Sequence, residues 1–283
     1  MRVSIITDST CDLSKELVEK HNIKVVPLYV NFNNDSYLDG VDIDVPTLFK
    51  KVDELGVLPK TSAIAPARFM EIFQEELNLG NEVVYLGIGS GFSSSHQNAV
   101  NVARELDEER IHVFDSRNLS TGTGLMVLKA CKYRDMGYSG KQIVEELEKV
   151  QGLVRTQFSI NTLEYLHKGG RCSGVARFFG TMLSMKPIIR VVDGAMVVAQ
   201  KPIGKYEKAL NRILDYVRHD IDNIDPDYLM ITHCAADDDA KYLRNCLSQM
   251  NLKVDHIEET KAGCVVGSHC GPRTIGILYI LKK

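Results

Sequence analysis

Polar and apolar positions along the chain fall into short alternating blocks. Residues 3–7 form a β-rich run that stops at Asp8-Ser9-Thr10, after which Leu13, Leu17 and Val18 recur at helical spacing. Residues 24–32 read as one further strand. Asp44 is placed to cap a helix through Leu48, Phe49 and Val52, with Pro46 in its first turn, where proline is tolerated. Pro66 opens a helix carrying Phe69, Ile72, Phe73 and Leu77. Residues 83–88 are a buried-type strand, and Ser93-Ser94-Ser95 is a cap cluster before Ala99, Val100, Val102 and Ala103. Residues 111–114 are another strand, ending in Asp115-Ser116. This alternation predicts an α/β domain with a mainly parallel sheet and flanking helices.

After a charged helix at 141–150 the rhythm changes. Strand patterns at 187–192 and 196–202 flank Asp193-Gly194, a strong hairpin signal. Strands at 154–160, 228–233, 253–258 and 274–281 alternate with helical periodicity at 205–217 and 237–250. Hairpin and βαβ signals together predict a mixed sheet with helices on one side. The expected division is 1–153 for an N-terminal α/β domain and 154–283 for a C-terminal one, and no long Pro/Gly/Ser linker holds them apart.

Composition narrows the function. The chain has 283 residues, 44% apolar and 25% charged, too apolar for disorder and long enough to bury a core and keep an internal pocket. Lys and Arg total 34 against 37 Asp and Glu, a net charge of −3, which argues against a nucleic-acid binder. No apolar run approaches a membrane span, and the N-terminal stretch meets Asp8 too soon to be a secretory signal. The 7 cysteines are an odd number, scattered and without a C-x-x-C pair, which suits reduced thiols in a cytoplasm.

Familiar catalytic motifs fail residue by residue. There is no G-x-x-x-x-G-K-[ST] phosphate loop. Gly87-Ile88-Gly89-Ser90-Gly91 runs into Phe92, so it is not G-x-G-x-x-G, and Gly91-Phe92-Ser93-Ser94-Ser95 fails G-x-S-x-G. Cys264 with His269-Cys270, and His233-Cys234, lack zinc spacing and read as separate buried thiols and hydrogen-bonded histidines, giving no metal site. Asp237-Asp238-Asp239 reads as negative charge at a helix start. Three small-polar clusters remain: Pro59-Lys60-Thr61-Ser62, Gly89 through Ser95, and the loop Gly267-Ser268-His269-Cys270-Gly271-Pro272. Taken singly each reads as a turn or cap, and sequence physics alone does not bring them together.

An ordered series of motifs spanning the chain resembles the DegV family. It runs through Thr7-Asp8-Ser9-Thr10-Cys11-Asp12-Leu13, then Pro59-Lys60-Thr61-Ser62, then Gly91-Phe92-Ser93 with Gln97 and Ala99. It continues with Asp115-Ser116-Arg117-Asn118 through Gly122 and Gly124, and with Thr162-Leu163-Glu164-Tyr165-Leu166 before Lys168-Gly169-Gly170-Arg171. Lys186-Pro187-Ile188 and Gly267-Ser268-His269 complete it. The resemblance implies a bacterial lipid-binding protein that holds one long-chain fatty acid between two α/β domains. It would present the carboxylate to the separate ATP-binding subunit of a fatty acid kinase, a step of phospholipid metabolism, and would leave room for transient membrane contact.

By the same resemblance Thr61, Ser62, Ser93, Ser94 and His269 would gather around the carboxylate, with no cofactor and no catalytic residue of the chain's own. Arg171 and Lys168 would dock the partner kinase. Candidate tunnel walls are Phe92, Phe178, Phe179, Met182, Leu183 and Ile188. The chain departs from the family pattern at Ser94-Ser95-His96, Cys270 and Arg273, and Phe178-Phe179 is bulky. The first and third bear on the carboxylate end, and the aromatic pair on chain preference. Neutral donors suit a carboxylate that must stay nucleophilic, whereas a bidentate arginine would hold it harder. The competing reading is a stand-alone acyl- or carbonyl-processing enzyme, using His269 as base or nucleophile with a hydroxyl of Ser93 or Ser94.

Overall fold

The computed structural model describes residues 2–171 and 185–282. Among the cavity candidates, Phe178, Phe179, Met182 and Leu183 lie outside the described residues.

The first half builds a four-stranded parallel sheet in the order β2-β1-β6-β7, from β1 (Val3–Asp8), β2 (Lys24–Val26), β6 (Glu82–Gly87) and β7 (Ile111–Asp115). Alternate residues feed two cores. Ile6, Val83, Tyr85 and Ile111 pack under α3 (Pro66–Asn78) and α4 (Ser95–Leu106). Val3, Ile5, Val84, Leu86 and Phe114 face α5 (Thr121–Asp135) and α6 (Gly140–Gln151). Near-continuous apolar strands are what a parallel sheet covered on both faces requires.

The expected single strand at 24–32 is two strands. It breaks at Pro27, which has no N–H for a sheet ladder. β2 joins the parallel sheet, whereas β3 (Tyr29–Phe32) turns into a small antiparallel sheet with β4 (Asp35–Leu38) and β5 (Lys60–Ser62). Asp44 caps α2 (Val45–Leu55) as expected, its side chain accepting from the Thr47 N–H at 2.9 Å.

The second half is a six-stranded mixed sheet, β10-β9-β8-β13-β11-β12. Its strands are β8 (Val154–Ser159), β9 (Ile188–Val192), β10 (Ala195–Gln200), β11 (Ile224–Cys234), β12 (His256–Lys261) and β13 (Thr274–Leu281). The β9–β10 hairpin turns through Asp193 (φ 49°) and Gly194 (φ 75°), the double left-handed pair that its sequence signalled. β11 is longer than the expected 228–233, and β12 lies three residues past the expected 253–258.

Helices were expected on one side of this sheet. On that side α8 (Glu207–Asp220) and α9 (Asp237–Ser248) cover Leu229, Ile231, Ile275, Ile277 and Tyr279. The other face is covered as well: Val154, Met230, Leu278 and Ile280 pack on α5, which comes from the first half. Wedged between two sheets, α5 is buried continuously from Thr121 to Cys131 and shows no preferred apolar side. The 267–272 loop is also corrected. Gly267, Ser268 and His269 lie in α10 (Cys264–Cys270), which stops at Gly271 with φ 75°. Among the described residues no helix is long and apolar enough to cross a membrane.

Candidate functional site

The carboxyl ends of β1 and β6 open toward the small antiparallel sheet and α10, the edge where open α/β sheets hold ligands. There a cavity of about 320 Å³ is lined by Thr61 and Ser62 from β5, Phe92, Ser93 and Ser94 from the loop after β6, and His269 and Cys270 from α10. Leu119, Leu166, Arg171 and Met196 complete it with Leu28, Ala63, Ile88, Val265 and Val266. All five residues expected at a carboxylate therefore line one space, as does Phe92.

Thr61 and His269, 208 residues apart, meet through Oγ1 and Nε2 at 2.8 Å. Nδ1 of His269 is buried without a partner among the described residues, and the Gly169 backbone abuts it so closely that an added Cβ would overlap it. A proton on Nδ1 would have no acceptor, so it belongs on Nε2, which then donates to Thr61. The Thr61 O–H is left free to donate into the cavity. Burial, with the Arg171 charge as a lesser cause, pushes the imidazole down to about 4, so it is neutral near pH 7.

Ser93 Oγ bonds Ser95 Oγ at 3.0 Å and accepts from the Ser95 N–H at 3.2 Å. Ser95 in turn accepts from the Ile64 N–H at 3.2 Å, which ties the serine loop to the strand carrying Thr61. In sequence Ser95 belongs to a cap cluster and to the family departure Ser94-Ser95-His96; its full burial is a product of the fold. The helix begins at Ser95, and Ser94 precedes it without a side-chain cap bond, exposed at the cavity. Ser62 Oγ accepts from Asn31 at 2.9 Å.

Three expectations are revised. Ile188 is not at the cavity; it packs under α8, and its neighbour Ile189 faces the cavity side with Leu119 and Leu166. Arg273 points to Asp239 at 2.8 Å and over the Tyr206 ring at 4.6 Å, away from the carboxylate end. Arg171, expected on the outside as a docking charge, also lines the cavity, donating to the Gly169 carbonyl at 2.9 Å. Lys168 lies on the exposed face of α7 (Glu164–Lys168), paired with Glu164 at 2.7 Å. A serine–histidine couple is not assembled: Ser93 bonds Ser95, and among the described residues no carboxylate touches His269.

A smaller cavity of about 30 Å³ shares Leu119, Val266 and Cys270 with the first and continues to Phe158, Cys234, Ala262 and Leu278. Hydroxyls, a neutral imidazole and the Arg171 guanidinium at one side, with hydrocarbon on the rest, fit a molecule with a small polar head and a greasy body.

The chain belongs to the DegV family: a family model described as "Uncharacterised protein, DegV family" matches residues 2–282. A DegV domain-containing protein of Clostridium acetobutylicum is 35% identical over 281 residues, 99% of each chain. Among solved structures, a fatty-acid-binding DegV family protein from Thermus thermophilus superposes with a TM-score of 0.93 at 32% identity, covering 99% of this chain and 100% of that one. A stearic-acid-binding protein from Eubacterium ventriosum gives 0.88 at 28%, covering 100% and 99%. Both of these solved relatives are fatty-acid-binding proteins.

Proposed function

We propose that this chain is a cytoplasmic carrier of one long-chain fatty acid, held between the halves 1–153 and 154–283 acting as two domains. The carboxylate rests against Thr61, Ser62, Ser93, Ser94 and His269. The tail runs along Phe92, Leu119 and Val266 toward Phe158. One observation carries the reading: hydroxyls, a neutral imidazole and hydrocarbon converge on a single cavity in a chain whose solved relatives hold fatty acids. The tail supplies the affinity. About fourteen methylenes at roughly 0.8 kcal/mol each give on the order of 11 kcal/mol before ordering costs.

The bound acid is offered to a separate ATP-binding kinase subunit. A carboxylate oxygen attacks the γ-phosphorus, the bond to the ADP oxygen breaks, and acyl phosphate stays with the carrier. Neutral donors leave the carboxylate nucleophilic, and hydroxyls can turn from carboxylate to acyl phosphate. Arg171 and Lys168, both exposed near the cavity's α7 side, meet the kinase or its nucleotide. No cofactor of the carrier's own enters the reaction.

Native mass spectrometry of the purified chain tests this directly. A co-purified acid of roughly fourteen to eighteen carbons is expected from the methylene count. A cleft that is empty, or filled only by polar molecules, overturns the reading.

A further inference from the structure

Asp8, Asp12 and Asp39 are almost fully buried, at 0%, 5% and 4% exposure. No Lys, Arg or His among the described residues pairs with any of them. Each instead accepts hydrogen bonds from a different segment that leads into the cavity wall. Asp8 takes the Ile88 N–H at 2.9 Å and the Tyr85 hydroxyl at 3.1 Å, fixing the start of the loop that carries Ser93. Asp12 takes the Gly263 N–H at 2.8 Å and the Ser120 hydroxyl beside Leu119. Asp39 takes the Cys264 N–H at 2.7 Å and the Ser9 hydroxyl at 2.9 Å.

Burying anions without a counter-charge is costly, and burial raises all three carboxyl groups above their ordinary value. A neutral cap would serve a seven-residue helix at less cost. What the carboxylates add is reach. Asp12, just past the short 3-10 turn that follows β1, and Asp39, at the end of β4, grip the start of α10 across 251 and 225 residues of sequence. His269 stands five residues beyond Cys264, about 7.5 Å further along the helix axis. A small tilt at the gripped end therefore moves His269 Nε2 out of reach of Thr61. A side chain at Gly263 would press on the grip: a Cβ there would stand 3.0 Å from both Asp39 oxygens and 3.4 Å from Asp12 Oδ1, so the carboxylates would have to give.

We infer that Asp12 and Asp39 are positioning residues for the head group: they set His269 against Thr61, and so determine whether the cavity distinguishes a free carboxylate from a neutral head. This inference rests on the proposed fatty-acid reading of the same cavity.

The test uses the full chain with palmitate and methyl palmitate as competing probes, folding being followed by circular dichroism. Wild type is expected to prefer the acid. Asp39→Ala is expected to cut that preference about tenfold, equivalent to ~1.4 kcal/mol, while ester affinity stays within about threefold. Asp39→Asn keeps the preference, because its amide oxygen still accepts from Cys264. The His269 side-chain nitrogen resonances move in Asp39→Ala and return in Asp39→Asn. Should Asp39→Ala fail to fold, Gly263→Ala, which wedges the same contact, is read in its place and is expected to show the same loss. A wild type that binds neither probe sinks the fatty-acid reading and this inference with it. A wild type that prefers the acid, with that preference intact in Asp39→Ala or its substitute, sinks the inference alone.

Discussion

Two adjacent glycines, Gly169 and Gly170, are expected to fail in different ways when replaced by alanine. Gly169 has ordinary right-handed geometry (φ −75°), so its backbone tolerates a side chain. An added Cβ would overlap His269 Nδ1 and stand 3.0 Å from Cε1 and from the Tyr165 carbonyl. The carbonyl belongs to a helix and cannot retreat, so the imidazole moves, toward Thr61 and into the space assigned to the carboxylate. Overpacking of this kind costs about 1–3 kcal/mol. If the cost falls on the bound state, Gly169→Ala weakens fatty-acid binding by about 5- to 140-fold. Gly170 is the opposite case: nothing lies within 4 Å of an added Cβ, but φ is 69°. Gly170→Ala therefore loses about 1–2 kcal/mol of stability through backbone strain, with binding unchanged. Displacement of a fluorescent fatty acid reads the first effect and urea denaturation the second. Affinity in Gly169→Ala within about threefold of wild type would refute the placement of His269 at the head group.

Ser93→Ala is expected to reduce kinase-coupled acyl phosphate formation more than lipid retention, since the tail supplies the affinity; unchanged coupled activity removes Ser93 from the site. Lowering the pH tests the buried imidazole. Its folded value near 4 lies below the ordinary 6.5, so the unfolded chain binds the proton first and His269 withdraws stability as pH falls through that window. Asp8, Asp12 and Asp39, raised by burial, act in the opposite sense, so the difference from His269→Gln isolates the effect: wild type loses more stability than the variant between pH 7 and pH 4.5 in urea titrations. Lys129→Met is expected to cost about 3 kcal/mol by leaving Asp225, which the buried lysine reaches at 2.8 Å, without its cation, and Asp227, reached at 2.7 Å, with Lys132 alone. Chemical denaturation measures it, and adding Asp225→Asn and Asp227→Asn should recover part of the loss.

Elements with their own local chemistry were legible in the sequence. Asp193-Gly194 announced a hairpin, Asp44 a helix start, and the apolar run 274–281 matches β13 residue for residue. What failed depended on tertiary surroundings. α5 carries no amphipathic stripe because both its sides are buried, so periodicity had nothing to report. The run at 24–32 looks uniform, yet Pro27 divides it between two sheets. Gly267-Ser268-His269 has loop composition but is helical up to Gly271. The head-group hydroxyls were legible only as an ordered set of motifs; that Thr61 touches His269 is a product of the fold. Asp39 gave no signal, because a lone aspartate after a strand looks like any turn residue until its neighbours are known.

The wedge formed by α5 has a practical corollary for anyone dissecting this molecule. Val154, Met230, Leu278 and Ile280 share one core with that helix, and it belongs to the other half of the polypeptide. Expressed alone, a fragment beginning at residue 154 would meet solvent with a bare hydrocarbon sheet and clump. Truncation is therefore a poor tool for assigning work to either half; point substitutions in the intact chain are the way to do it.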